Sequence, residues 1–242
     1  MRRLRNALTG TPGRVGSWRE TVIDRLQSGR WARYTEPQTL CHDHFRMRST
    51  VEHINYPSLC YVVGKLGGRP QNILETGMSA WGTDSTRLFD SYVRSFGGQL
   101  WSVDIAPERV AALRARVSKQ TTLVCDDSVA FLTRWVGDHP GERVGLVYLD
   151  SWDVDYAAPR PAAEHCLREL DAVMPALGDG TLLLIDDSPG SLDDVPEDAR
   201  GAAQSIFAEL GVWPGKGMLV ERQLSARGMT PIFHGYQLLY RF

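Results

Sequence analysis

The sequence predicts an α/β fold: a doubly wound, mostly parallel seven-stranded sheet, ended by a C-terminal antiparallel hairpin and preceded by an N-terminal helical cap. Three observations point there. From Gln71 onward, short β-like runs alternate with longer helical ones, the pattern of βαβ crossovers. The short runs are almost continuously apolar, as in strands covered on both faces. The chain has 242 residues, 43% apolar and 23% charged, enough to bury a core and too apolar to stay unfolded.

The elements follow in order. Residues 1–34 read as helical with a break at Pro12-Gly13, 35–57 as irregular and rich in His and Arg, and 58–66 as an apolar stretch ending at Gly67-Gly68. Together 1–68 is read as the cap and 69–242 as the sheet domain. Strands are expected at 72–76 (NILET), 100–104 (LWSVD), 122–126 (TLVCD), 145–150 (GLVYLD) and 181–187 (TLLLIDD). Helices are expected at 86–96, 107–117, 128–136, 160–174 and 217–227. Residues 230–234 and 237–242 flank the turn Gly235-Tyr236 and complete the seven strands as a hairpin.

Composition excludes several classes. No apolar run reaches the ~18–20 residues of a membrane span. The basic N-terminus is not followed by an apolar segment, so a secretory signal is not expected and a cytoplasmic protein is. Cys41, Cys60, Cys125 and Cys166 lie far apart without a CxxC pair and are expected to be reduced thiols. Cys41-His42-Asp43-His44 has no second ligand pair at finger-like spacing, so a structural zinc is not expected. Residues 1–34 hold eight arginines against Glu20 and Asp24, a balance of +6 within a net charge of −2. That arm reads as a solvated helical face or as a contact for an anionic partner.

The chemistry lies in the strand ends. Each expected parallel strand closes on a carboxylate: Glu75, Asp104, Asp126/Asp127, Asp150 and Asp186/Asp187. In an open α/β sheet these ends share the edge where ligands bind. Five acidic ends in succession imply a ligand rich in donors, a metal ion, or both. After the first strand, Glu75 to Thr86 carries Gly77 and Gly82 without a dinucleotide fingerprint, and Thr83-Asp84 stands where a phosphate loop needs Lys-Ser/Thr. An acidic rim lacking that lysine disfavours nucleotide phosphates.

The motifs ILETGMSAWGTDST, WSVDIAPE, VCDDSVAFL, VYLDSWDVD and LLLIDDSP, over residues 70–242, resemble those of class I S-adenosylmethionine-dependent methyltransferases, whose fold is Rossmann-like. Successive spacings from Gly77 through Asp104, Asp127 and Asp150 to Asp186 are 27, 23, 23 and 36 residues. The resemblance implies cofactor contacts from Glu75, Gly77, Gly82 and Ser85, ribose binding by Asp104, adenine packing on Ile105, and adenine-edge contacts from Asp127 and Ser128. The glycine loop is one residue longer than the family's usual form.

Asp150 with Asp186-Asp187 further resembles the catechol-, caffeoyl- and macrocin-type O-methyltransferases, which implies a divalent cation, Mg²⁺, at these three aspartates. Asp153 and Lys216 are then the candidate general bases beside Asp150, and Trp152, His44 and His53 are expected around the acceptor. The implied reaction is O-methylation of a small-molecule hydroxyl in specialised or sugar metabolism. The alternatives are a metal-independent N- or O-methyltransferase and, against the acidic rim, an RNA-modifying or nucleic-acid-binding protein. No membrane partner is expected, and a homodimer is one assembly left open.

Overall fold

In the computed structural model, residues 33–79 and 82–242 are described. The arginine-rich arm lies outside them up to Ala32, as do Ala80 and Trp81 of the glycine loop. The alternation read in the sequence becomes a seven-stranded sheet of order β3-β2-β1-β4-β5-β7-β6. Its strands are β1 (Gln71–Thr76), β2 (Gly98–Asp104), β3 (Thr121–Cys125), β4 (Leu146–Leu149), β5 (Leu182–Ile185), β6 (Phe233–His234) and β7 (Leu238–Arg241). β1 to β5 pair in parallel, whereas β7 runs antiparallel to both β5 and β6, so the expected hairpin closes the sheet. The chain leaves β1 toward β2 on one side and resumes toward β4 on the other. The crevice above β1 and β4 is therefore the topological switch point, where such sheets bind ligands.

Helices cover both faces. On one side lie α1 (Pro37–Arg48), α2 (Tyr56–Leu66) and α3 (Ser85–Phe96), whose Leu40, Phe45, Val62, Val63, Phe89 and Tyr92 pack on Ile73, Leu100, Tyr148 and Leu184. On the other lie α5 (Ser128–Asp138), α6 (Arg160–Val173) and α8 (Met218–Ala226), packed on Leu74, Val103, Val147, Leu183 and Ile185. Ile73 and Leu74 face opposite layers, the period-2 alternation of a strand. Every residue of β4 and β5 is buried, which explains their unbroken apolar sequence. α4 (Pro107–Arg114) covers β2 and β3 through Val110 and Leu113, and α7 (Arg200–Leu210) follows β5.

Three expectations need correction. Residues 35–57 are not irregular: 37–48 is helical, with Pro37 opening the helix and Pro37, Leu40, Cys41, His44 and Phe45 forming its buried stripe. His and Arg dilute that stripe, and the buried His44 counts as polar in a sequence reading. α1 and α2 form part of the main core, not a separate lid, and it is their connection at 49–55 that reaches the strand ends. Cys41 and Cys60 form a disulfide with Cα atoms 5.4 Å apart, tying α1 to α2, while Cys125 and Cys166 are free thiols. The two bonded cysteines meet because the helices they sit on are adjacent, a relation that a separation of 19 residues does not reveal. Among the described residues no helix is long and apolar enough to cross a membrane.

Candidate active site

Two clefts open side by side at the C-terminal strand ends. The first, of about 80 Å³, is lined by Gly77, Val103, Asp104 and Ile105, by Asp126, Asp127 and Ser128, and by Ser151, Trp152 and His165. The second, of about 420 Å³, is lined by His53, Ile54 and Asn55, by Asp150, Asp153, Val154 and Tyr156, and by Asp186, Asp187 and Tyr236. They adjoin where β1 ends against β4. A side chain at Gly77 would place its Cβ 2.1 Å from the Asp150 carbonyl oxygen, and Gly77 has φ +80°. Only glycine lets the β1 turn lie this close to the loop that divides the clefts.

The first cleft has a polar end and an apolar slot. Asp104, 6% exposed, accepts the Met78 amide at 2.9 Å and the Ala106 amide at 2.8 Å. Arg109 Nη1 also reaches Asp104 Oδ2, at 3.4 Å, so of the about four lone-pair sites of a carboxylate Asp104 keeps one, on Oδ1, for a ligand hydroxyl while fixing the two loops beside it. Ile105 is 74% exposed and Trp152 46% exposed, both on the cleft wall. Large apolar side chains left open on the walls of a narrow cleft suit a flat, apolar-faced ligand. Trp152 was expected at the acceptor; the structure places it here, its ring 5.0 Å from that of His165. His165 meets Ser128 Oγ at 2.9 Å, and Ser151 Oγ donates to the buried Glu169 at 2.6 Å, so this wall is held by side-chain hydrogen bonds. Asp127 Oδ1 accepts the Ala130 amide and caps α5 while its residue borders the cleft.

Glu75, Ser85 and Gly82 behave differently from the other expected cofactor residues. Glu75 is fully buried and accepts from Ser85 Oγ at 2.6 Å and Ser102 Oγ at 2.5 Å. Burial pushes its carboxyl up to about 7, against those two hydrogen bonds. Glu75 and Ser85 thus tie the loop to α3 and do not border either cleft. Gly82, with φ +82°, faces His53: an added Cβ there would lie 3.8 Å from His53 Nε2. His44 is buried and its Nε2 donates to the Thr83 carbonyl at 2.7 Å, so it fastens the same loop and does not line the acceptor cleft.

The three aspartates at the ends of β4 and β5 converge, and a cation stands among them. It is the ammonium of Lys216, 2.5 Å from Asp150 Oδ1 and 2.8 Å from Asp187 Oδ2. Two glycines flank it, a pattern that in sequence suggests a flexible loop. They are instead a close-packing device: Cβ atoms at Gly215 and Gly217 would fall 2.4 Å from the Asp187 carbonyl oxygen and 2.7 Å from Ser188 Oγ. Lys216 is 3% exposed. Burial alone would lower its pKa, but the carboxylates of Asp150, Asp187 and Asp186 reverse this and hold it well above the ordinary lysine value. A lysine kept as ammonium has no lone pair with which to act as a base.

The remaining carboxylate positions are also occupied. Asp186 accepts from Gln237 Nε2 at 2.8 Å, Tyr148 OH at 2.9 Å and Asn55 Nδ2 at 3.1 Å. Tyr236 OH donates to Asp187 Oδ1 at 2.5 Å and meets Tyr156 OH at 2.7 Å. Burial, then the charge of Asp186, pushes Asp150 well above the carboxylate range, with Lys216 opposing; burial and Asp187 raise Asp186. The divalent cation implied by the resemblance does not fit this arrangement. Its place is taken by the lysine, and among the described residues no group of His, Cys, Asp and Glu side chains is disposed to hold a metal. Sequence reasoning singled out Lys216 but could not see that it pairs with the aspartates, 66 residues from Asp150. It did not find Asn55, Tyr148, Tyr156, Tyr236 or Gln237, whose only signal was their meeting in space.

No family model and no curated protein matches this sequence. Among solved structures, the apo form of CalS11, a TDP-rhamnose 3'-O-methyltransferase of calicheamicin biosynthesis, is similar over 95% of this chain and 97% of its own, at 15% identity and TM-score 0.56. A second structure of CalS11, a calicheamicin methyltransferase, covers 99% of this chain and 96% of its own at 13% identity and TM-score 0.55. An O-methyltransferase from Bacillus cereus solved with S-adenosylhomocysteine is 14% identical, covering 100% and 96%, at TM-score 0.47. What the two CalS11 structures share with this chain is the fold, a Rossmann-like one.

Proposed function

We propose that this protein transfers a methyl group from S-adenosylmethionine to a hydroxyl oxygen of a small molecule, a sugar or specialised metabolite. The observation that carries the reading is the meeting of the two clefts at Gly77 and Asp150. In the first cleft, Asp104 suits a ribose diol, and Ile105 with Trp152 suits the faces of an adenine. Bound there, the sulfonium would supply the electrophilic methyl group, whose bonding pair remains on sulfur as the acceptor oxygen attacks. The fold shared with an enzyme named for TDP-rhamnose supports a sugar acceptor.

In the second cleft, neutral and acidic groups face the acceptor. Asn55 Nδ2 is committed to Asp186, which leaves Asn55 Oδ1 buried without a hydrogen-bond partner among the described residues. A buried acceptor left unpaired is costly, and an acceptor hydroxyl would satisfy it. Asp153 is exposed on the wall of this cleft and takes the proton released as the oxygen is methylated. Holding the two reactants in line and excluding water supplies most of the rate. The acidic walls oppose a polyanion, so nucleic acid is not the acceptor.

The test is methyl transfer from S-adenosylmethionine to a panel of nucleotide sugars, glycosides and phenols, followed by mass spectrometry. One methylated product on a hydroxyl supports the reading. Methylation confined to amines or RNA would replace it, and failure to bind the cofactor would end it.

A further inference from the structure

We propose that Lys216 is a built-in substitute for a divalent cation, so that the three aspartates form a metal-free centre that excludes the ion. The inference rests on the methyltransferase reading above and goes beyond it. Four observations carry it.

The first is position. Nζ lies between carboxylates of two adjacent strands, at 2.5 Å from Asp150 and 2.8 Å from Asp187, where a bridging ion would sit. The second is saturation. Each of the six carboxylate oxygens has a donor within the protein. Lys216 serves Asp150 Oδ1 and Asp187 Oδ2, Tyr148 serves Asp150 Oδ2, Asn55 Nδ2 serves Asp186 Oδ2, Gln237 serves Asp186 Oδ1, and Tyr236 serves Asp187 Oδ1. Mg²⁺ demands oxygen ligands at about 2.0–2.1 Å in an octahedron. It would have to displace the ammonium and break several of these bonds.

The third is delivery. The Lys216 amide donates to the Asp187 carbonyl at 3.0 Å, and the flanking glycines permit an approach that any larger residue would block. The lysine is therefore fixed by its own main chain and does not swing in from solvent. The fourth is inaccessibility. Lys216 is 3% exposed and does not border the acceptor cleft. It is a positioning residue: it holds Asp150 and Asp187 in place and supplies their counter-charge from behind. One consequence concerns the substrate. With no ion to chelate, the acceptor needs no pair of adjacent oxygens, and a single hydroxyl is sufficient.

The experiment is a Mn²⁺ titration of chelator-treated protein, followed by the electron paramagnetic resonance of free Mn²⁺, with calorimetry of S-adenosylmethionine binding on the same samples. The wild-type protein is expected to take up no Mn²⁺ and to keep its cofactor affinity after chelation. Lys216→Met is expected to gain one equivalent, lost again when Asp150→Asn is added, whereas Lys216→Arg gains none. Uptake of one equivalent by the wild type, abolished by Asp187→Asn, would overturn the proposal. So would a folded Lys216→Met that still binds no Mn²⁺. If Lys216→Met does not fold, the wild-type titration decides alone. Loss of cofactor binding in the wild type would instead indict the methyltransferase reading, which separates the two failures.

Discussion

Replacing Gly77 by alanine tests whether the junction of the two clefts is the structural centre of the site. The added Cβ would lie 2.1 Å from the Asp150 carbonyl oxygen and 2.6 Å from its carbon. Both are main-chain atoms and cannot rotate away. The left-handed backbone at φ +80° adds about 1–2 kcal/mol for a residue with a side chain. Relief requires β1 and the 150–151 segment to part, which breaks the Asp150 amide bond to the Thr76 carbonyl, now 2.9 Å. The total should exceed about 4 kcal/mol, in the exceptional range for one substitution. Urea unfolding reads the stability and calorimetry reads the cofactor affinity. Gly137→Ala is the control: its Cβ meets nothing within 4 Å in α5, and alanine there should be neutral or stabilising by up to about 1 kcal/mol. A Gly77→Ala protein within about 1 kcal/mol of wild type, binding cofactor normally, would refute the reasoning.

Three further outcomes follow from the same geometry. Burial holds the His44 imidazole at about 4, below its ordinary 6.5, so the unfolded chain binds the extra proton and stability falls as pH drops from 6.5 toward 4. Glu75, raised to about 7, gives the opposite slope between 4.5 and 7, so the measurement is the difference between wild type and His44→Phe, expected to span about 3 kcal/mol across the window. Replacing both Cys41 and Cys60 by serine opens a loop of about 20 residues and should cost about 3 kcal/mol in denaturant unfolding; an unchanged midpoint under non-reducing conditions would show that the bond contributes nothing. Asp153→Asn should lower turnover by about 100-fold or more with cofactor affinity unchanged, and normal single-turnover rates would remove Asp153 as the proton acceptor.

Strands and their acidic ends were legible because parallel strands buried on both faces must be apolar throughout, and each ends in polar residues at the ligand edge. The spacing of Gly77, Asp104, Asp127, Asp150 and Asp186 therefore pointed to the sheet edge where the two clefts open. What was illegible depended on depth and direction. Glu75 and Asp104 look alike in sequence, yet one turns inward to Ser85 and Ser102 while the other borders the cleft. Trp152 and Asp153 are neighbours that line different clefts, because the loop after β4 bends at Trp152. α7 was missed although Ala203, Ile206, Phe207 and Leu210 recur at helical spacing; of these only Ala203 is buried. The glycines flanking Lys216 suggest mobility in sequence, although at those positions glycine allows close main-chain contact.

The most direct test of the account is a calorimetric titration of S-adenosylmethionine into the wild-type protein and Asp104→Asn. In the proposed function Asp104 would carry the ribose contact, and charge-assisted hydrogen bonds of this kind are worth about 2–4 kcal/mol together. The account predicts one site per chain in the wild type and an affinity lower by that amount in the variant, whose fold is checked by unfolding. Equal affinity in the two proteins, or no binding in the wild type, would contradict it.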